Sequence, residues 1–218
     1  MTYDAVVFDF DGTLVERPQK RRLRETVCQA CRRVGIEAGV DEVASAFRAG
    51  NIRTIVERCR AAGISIDSLR RRVTAAVVRT QVTAAKTGAR SVYDGIQTIT
   101  SIRMPTGVVS DNHPAVLDAL LKWFGIAEQF DVVRGCRFTP DGLDRRKPSS
   151  VNLTDAMTEL DAASALYVGD MPVDVAAAKN AGIDSALLVR DGSQREHTAP
   201  THVLSSLAEL PDVLATSP

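Results

Sequence analysis

Asp9, Asp11, Ser110, Lys147, Asp170 and Asp174 are the residues in this 218-residue chain whose types and placement could do chemistry together. Asp9 and Asp11 sit two positions apart at a tight turn marked by glycine, Asp9-Phe10-Asp11-Gly12-Thr13. The other four lie far downstream. Two or three carboxylates beside a basic side chain make a site for a hard cation with oxygen ligands, which suits Mg²⁺. A lone Asp-x-Asp or Gly-Asp is weak. The weight comes from the whole set, in order, each member following an apolar run.

Those runs are the elements that must position the set. Ala5 to Phe8 is short, apolar and rich in β-branched residues, and predicts a buried strand ending at Asp9. Thr106 to Val109 predicts a second strand ahead of Ser110, Phe130 to Val133 a third, Ala165 to Val168 a fourth ahead of Asp170, and Ala186 to Val189 a fifth. Helical spacing fills the intervals at Ala115 to Phe124, at Ser149 to Leu160, and from Pro172 to Ala181, where Gly182 ends the run. Apolar strands alternating with helices imply an α/β fold, a Rossmann-like parallel sheet with helices on both faces. Ligands of such sheets bind beyond the carboxyl ends of the strands, so the polar residues after each run are the candidates.

Between the first and second strands the pattern changes. Gln19 to Val34, Val43 to Phe47, Asn51 to Ala61 and Leu69 to Lys86 read as helices, broken by glycines, with no convincing strand. This stretch is also charged differently. Residues 16–90 hold 17 Lys+Arg against 7 Asp+Glu, while the chain as a whole is balanced at 27 and 27. Two modules are expected: a core of residues 1–15 and 91–218, and an all-helical cap of residues 16–90 lying over the end of the sheet where ligands bind. A basic cap can attract an anionic substrate. Nucleic acid is not the expected partner, because Phe47 is the only aromatic in the cap and no stacking platform exists.

Ordinary composition, with 44 % hydrophobic and 25 % charged residues, excludes wholesale disorder. No apolar run reaches the roughly 18 residues of a membrane helix, so no membrane association is expected. The first residues read as a strand and not as a signal peptide, which predicts a cytoplasmic protein. Cys28 and Cys31 form an isolated C-x-x-C on one helix face, expected as two small buried side chains and not as half of a zinc site.

Taken together, Asp9-Phe10-Asp11-Gly12-Thr13-Leu14, Val108-Val109-Ser110-Asp111-Asn112, Lys147-Pro148 and Gly169-Asp170-Met171-Pro172-Val173-Asp174 resemble the haloacid dehalogenase-like hydrolase superfamily, in its phosphatase type with a small helical cap. The resemblance covers nearly the whole chain. It implies a Mg²⁺-dependent phosphatase acting on a small phosphorylated metabolite through an aspartyl-phosphate. Asp9 would be the nucleophile, and Asp11 the general acid and then the base, with a raised pKa beside other anionic groups. Mg²⁺ would be held by Asp9, Asp170 and the backbone carbonyl of Asp11. Lys147 would add positive charge, Asp174 would orient Lys147 or hold metal-bound water, and Ser110 would donate to a phosphoryl oxygen. An acid at Asp11 favours phosphate monoesters over halides, since a halide leaves without a proton. A phosphomutase on the same core, or a non-catalytic relative that binds a phospholigand or a partner, are the alternatives.

Met171 departs from the family pattern, standing where many relatives carry a small hydroxyl residue, which removes one hydrogen bond near the metal. Of the three adjacent bases Arg145, Arg146 and Lys147, the last is chosen because Pro148 follows it. His113 is left outside the site. Substrate contacts are expected from Arg48, Asn51 and Arg53 in the cap and from Asp111 and Asn112 in the core; small sugar phosphates, phosphoglycolate-like acids and nucleotides all remain open.

Overall fold

The computed structural model describes residues 3–37, 39, 53–190 and 199–216. Six strands, β1 (Ala5–Phe8), β2 (Thr106–Val109), β3 (Val132–Arg134), β4 (Ala165–Gly169), β5 (Asp184–Leu188) and β6 (His202–Leu204), form one parallel sheet in the order β3-β2-β1-β4-β5-β6. Chain direction reverses its march across the sheet between β1 and β4, and the crevice at such a point is where ligands of this architecture sit.

The central strand has no exposed residue, because both of its faces are covered. Its side chains alternate. Val6 and Phe8 join one apolar cluster with Val108, Leu166 and Val168, and Ala5 and Val7 join a second with Val109, Leu153, Tyr167 and Ala177. The first cluster is continued by the helices between β1 and β2, namely α1 (Lys20–Arg32), α2 (Arg53–Ala61) and α3 (Ile66–Lys86), and by α4 (Pro114–Trp123). The second is closed by α6 (Val151–Glu159) and α7 (Pro172–Ala181), with the short α5 (Pro140–Asp144) ahead of α6 and α8 (Leu210–Thr216) ending the described chain.

The insert between β1 and β2 contains no named strand among the described residues. Its helices pack through Val27, Cys28 and Cys31 of α1, Ile55 and Cys59 of α2, and Leu69, Val73 and Val77 of α3. Cys28 and Cys31 are therefore core side chains, as the helical spacing predicts. The insert leaves and rejoins the core at one place. Glu16 N–H donates to Ser91 O at 2.9 Å, Tyr93 N–H to Leu14 O at 3.0 Å, and Val15 and Val92 form an antiparallel bridge.

Three strand assignments shift. β3 starts at Val132, not at Phe130, because Phe130 ends a 3-10 turn and its ring packs edge-on against Phe8 at 6.1 Å. β5 begins earlier, at Asp184, whose carboxylate accepts from Tyr3 Oη at 2.8 Å and so tolerates a strand position. β6 is not expected from sequence at all. It is three residues at the sheet edge, with Val203 64 % exposed, too short and too open to leave a periodic trace. The predicted helix at Val43 to Phe47 lies outside the described residues.

Candidate active site

Because the strands are parallel, their carboxyl ends share one edge, and Asp9, Ser110 and Asp170 follow β1, β2 and β4 immediately. Lys147 reaches the same point from the segment between α5 and α6. Its ammonium lies 2.8 Å from Asp9 Oδ1, bonds Asp174 Oδ1 on another side, and donates to Tyr167 Oη at 3.2 Å. All four side chains are nearly or wholly buried. The neighbouring bases have other partners: Arg145 donates to Asp155 at 2.8 Å, and Arg146 pairs with Asp111 at 3.4 Å. Of the three adjacent bases, Lys147 is thus the one placed beside Asp9.

Asp174 is fixed from two directions. While one oxygen holds Lys147, Oδ2 accepts the backbone N–H groups of Asp170 at 3.1 Å and Met171 at 2.8 Å, at the start of α7. At Met171 the hydrogen bond to Asp174 is thus made by the main chain, whatever the side chain. Gly169 has to lack a Cβ, which would run into Asp174.

Burial raises the carboxyl pKa values against the pull of adjacent cations. Desolvation pushes Asp9 up to about 7, with Lys147 opposing and Asp174 adding to the rise. Asp170 is raised by burial against Arg17. Asp11 is raised as expected, but chiefly by burial, not by nearby anions, and Arg90 works against the rise. Burial disfavours the Lys147 ammonium, yet Asp9, Tyr167 and Asp174 outweigh it and hold its pKa well above the ordinary lysine value.

Asp9, Asp170 and Asp174 offer carboxylate oxygens within 4.8 Å of one another. Asp174 is committed to Lys147 and to two amides, which leaves Asp9 and Asp170 as the pair for a cation. Asp170 Oδ1 is buried and has no hydrogen-bond partner. An unpartnered buried carboxylate oxygen is costly unless something positive meets it, so the donor set fits a divalent ion. Asp11 directs its carboxylate elsewhere, to Arg90 and to Asn112 Nδ2, the latter at 2.9 Å, so that carboxylate is not among the grouped oxygens.

Ser110 is buried, and its Oγ accepts the Asn112 N–H at 3.3 Å. Asp111 takes the Lys147 N–H at 3.0 Å and the Arg146 guanidinium, placing it behind the site as a support for the Lys147 segment. His113 caps α4, its Nδ1 accepting the Ala115 N–H at 3.1 Å. Arg53 is exposed in the first turn of α2; Arg48 and Asn51 lie outside the described residues.

Sequence reasoning missed several residues. Arg17 clasps Asp170 Oδ2 through Nε at 2.9 Å and through a terminal nitrogen. Arg190 donates to the carbonyls of Gly12 at 2.6 Å and Thr13 at 2.8 Å, and stacks on Tyr93 at 3.7 Å. Arg90 holds Asp11. Arg17 and Arg90 belong to the arginine-rich stretch, where nothing marks one arginine from another. Arg190 had a signal, since it closely follows the fifth apolar run.

Residues 3–182 match the haloacid dehalogenase-like hydrolase family. A phosphoglycolate phosphatase of Cereibacter sphaeroides is 32 % identical over 216 residues, spanning 96 % of each chain. Validoxylamine A 7'-phosphate phosphatase of Streptomyces hygroscopicus subsp. limoneus is 29 % identical over 187 residues, 83 % of each. The crystal structure of CbbY from Rhodobacter sphaeroides in complex with phosphate has a TM-score of 0.68 at 24 % identity, over 95 % of this chain and 96 % of that one. No described helix is long and apolar enough to cross a membrane.

Proposed function

This chain belongs to the haloacid dehalogenase-like hydrolase family and is a phosphatase, and from that premise we propose that it hydrolyses a small phosphomonoester in two steps through a phosphoryl group carried on Asp9. In the first step a carboxylate oxygen of Asp9 attacks phosphorus, the bond from phosphorus to the ester oxygen breaks, and that oxygen takes the proton of Asp11. In the second step Asp11 takes a proton from water, whose oxygen attacks the same phosphorus and releases inorganic phosphate and the Asp9 carboxylate.

The observation that carries this reading is the buried Asp9–Lys147–Asp174 row at the strand ends. A carboxylate approaching a phosphate dianion meets like charge, and Lys147 supplies fixed positive charge in a site where water does not screen it. Asp174 holds Lys147 in place. Ser110 Oγ is a donor for a phosphoryl oxygen. A Mg²⁺ ion, which Asp9 and Asp170 would hold, would supply further positive charge against the same repulsion.

The cap boundary at residues 16–90 is supported by the paired linkers on either side of it. A small, anionic substrate, of the kind named for the phosphoglycolate phosphatase relatives, is supported by a cleft of about 820 Å³ between α3 and the start of α4, with Arg70, Arg71, Arg79 and Arg137 in its walls. The cleft walls contain none of the catalytic carboxylates. Its walls also hold Asp67 and Asp118, so the cleft carries an excess of positive charge, which attracts anions.

Phosphate release from a panel of small phosphomonoesters, with Mg²⁺ and with chelator, tests the proposal. Cation-dependent release on at least one member is expected. A folded, Mg²⁺-binding protein that releases phosphate from none of them would overturn it.

A further inference from the structure

Arg90 is 1 % exposed, the largest side chain in the molecule to be so fully enclosed among the described residues. It does not belong to the sheet. It lies where the chain returns from α3 to the core, beside the outgoing strand of linker. Each part of its guanidinium has a separate partner. One terminal nitrogen donates to Asp11 Oδ1, the other to Gln81 Oε1 of α3, and Nε to the backbone carbonyl of Glu16 at 2.6 Å. Its charged face also lies 5.6 Å from the Phe10 ring. The second oxygen of Asp11 is held by Asn112 Nδ2 at 2.9 Å, and Asn112 in turn meets Gln81, whose Nε2 donates to Asn112 Oδ1 at 3.4 Å.

A carboxyl group on one Cβ turns freely unless both of its oxygens are tied. Here both are, by donors from two different parts of the chain. One tie leads to β2 through Asn112. The other leads through Arg90 to the cap helix α3 and to both linkers, which Glu16 locks together by accepting the Ser91 N–H at 2.9 Å and its hydroxyl at 3.0 Å. We propose that Arg90 is a positioning residue for Asp11: anchored on Gln81 and on the Glu16 carbonyl, it aims the Asp11 carboxyl, so that the reach of Asp11 to the leaving oxygen depends on how the helical insert is seated on the core. The inference rests on the reading of Asp11 as the proton donor. A planar fork with several donors suits this task, and an ammonium cannot reproduce it.

A proton donor acts within about 2.6–3.2 Å of its target. Displacement by about 1 Å costs on the order of 10²-fold in rate. In the first step that cost falls only on substrates whose leaving group needs the proton, whereas the role of Asp11 as base in the second step is shared by all substrates. The experiment therefore compares kcat/KM, which reads the first step, for p-nitrophenyl phosphate, whose leaving phenolate departs unaided, and for the best-turned-over alkyl phosphate of the panel. For Asp11→Asn the alkyl kcat/KM is expected to fall by roughly 10²–10⁴-fold and the aryl kcat/KM far less. For Arg90→Met and Arg90→Lys the aryl-to-alkyl ratio is expected to rise by about 10- to 100-fold in the same direction. Gln81→Met, which loosens Arg90 without removing it, shifts the ratio less. Far-ultraviolet circular dichroism and Tm establish that each variant is folded. Should Arg90→Met fail to fold, Arg90→Lys and Gln81→Met read the same ratio. Equal losses on both substrates in the folded variants, alongside a shifted ratio in Asp11→Asn, overturn the role of Arg90 alone. An unshifted ratio in Asp11→Asn overturns the assignment of Asp11 and the inference with it.

Discussion

The ammonium of Lys147 sits between two buried carboxylates, 2.8 Å from Asp9 and in direct hydrogen-bond contact with Asp174. It keeps those two acids compatible with burial as well as supplying charge to a reacting phosphate. Replacing it with methionine removes the cation and leaves both acids facing each other. Lys147→Met is expected to lower turnover by about 10²–10³-fold. It is expected to cost roughly 3–5 kcal/mol of stability, the penalty of stripping one partner from a buried ion pair. Phosphate release and urea denaturation read the two effects separately; near-normal turnover would remove Lys147 from the site.

Asp9→Asn keeps the shape of the side chain and removes the nucleophile. Turnover is expected to fall by roughly 10⁵-fold or more. The fold should survive. Burial holds Asp9 up to about 7, so its ionised form is disfavoured in the folded state, and the neutral amide should be at least as stable as wild type at about pH 8. Steady-state rates and Tm provide the check, and persistent hydrolysis would end the proposed mechanism.

Stability against pH follows from the same carboxyls. Asp9, Asp11 and Asp170 have raised pKa values in the folded protein. In the unfolded chain, aspartates titrate near 3.9, approximately. Between these values the folded state binds more protons than the unfolded one, so this contribution is fully present below about pH 4 and is lost as pH rises through about 7. A Mg²⁺ ion held by the ionised carboxylates would reverse the trend. At a concentration of about 100 times its Kd it would add about 2.7 kcal/mol. Tm measured with and without Mg²⁺ should show a larger increment at about pH 8 than at about pH 5. Equal increments would place the cation away from Asp9 and Asp170.

Gly12 has φ +96°, and a Cβ there would collide with Asp170 Oδ2 and with the Arg17 side chain. Gly12→Ala is therefore expected to destabilise the fold by about 1–3 kcal/mol through backbone strain alone. It should also displace Asp170. The Mg²⁺-induced rise in Tm is expected to shrink in this variant, and an unchanged rise would show that Asp170 does not hold the cation.

Asp9 and Asp170 of the candidate site were legible in the sequence because each follows an apolar run, and a parallel sheet brings the ends of such runs to one edge. Asp9, Ser110 and Asp170 needed only that rule. Lys147 needed a neighbouring proline to distinguish it from Arg145 and Arg146. Arg17, Arg90 and Gln81 gave no comparable trace. They act through tertiary contacts made from linkers and from a helix, and neither period nor turn chemistry records which arginine turns inward. Tyr167 was hidden differently, as a strand residue whose ring fills the core while its hydroxyl donates to Val109 O at 2.8 Å and receives from Lys147. The edge strand β6 was lost because three residues with one side exposed carry too little pattern.

The helical insert begins and ends where Glu16 and Ser91 are hydrogen-bonded to each other. To the sheet it is a side branch joined through the chain at one point, with α3 resting on α4 besides. The entropy of closing such an excursion grows with the logarithm of its length, about 0.6 kcal/mol for each doubling. Lengthening or shortening the branch away from Gln81 and Arg90 thus leaves the strand order almost untouched, while repacking that moves those two residues reaches Asp11. Substrate preference can be rewritten by exchanging this part of the chain, so long as the graft restores the contact between its two ends and the arginine that reports on it.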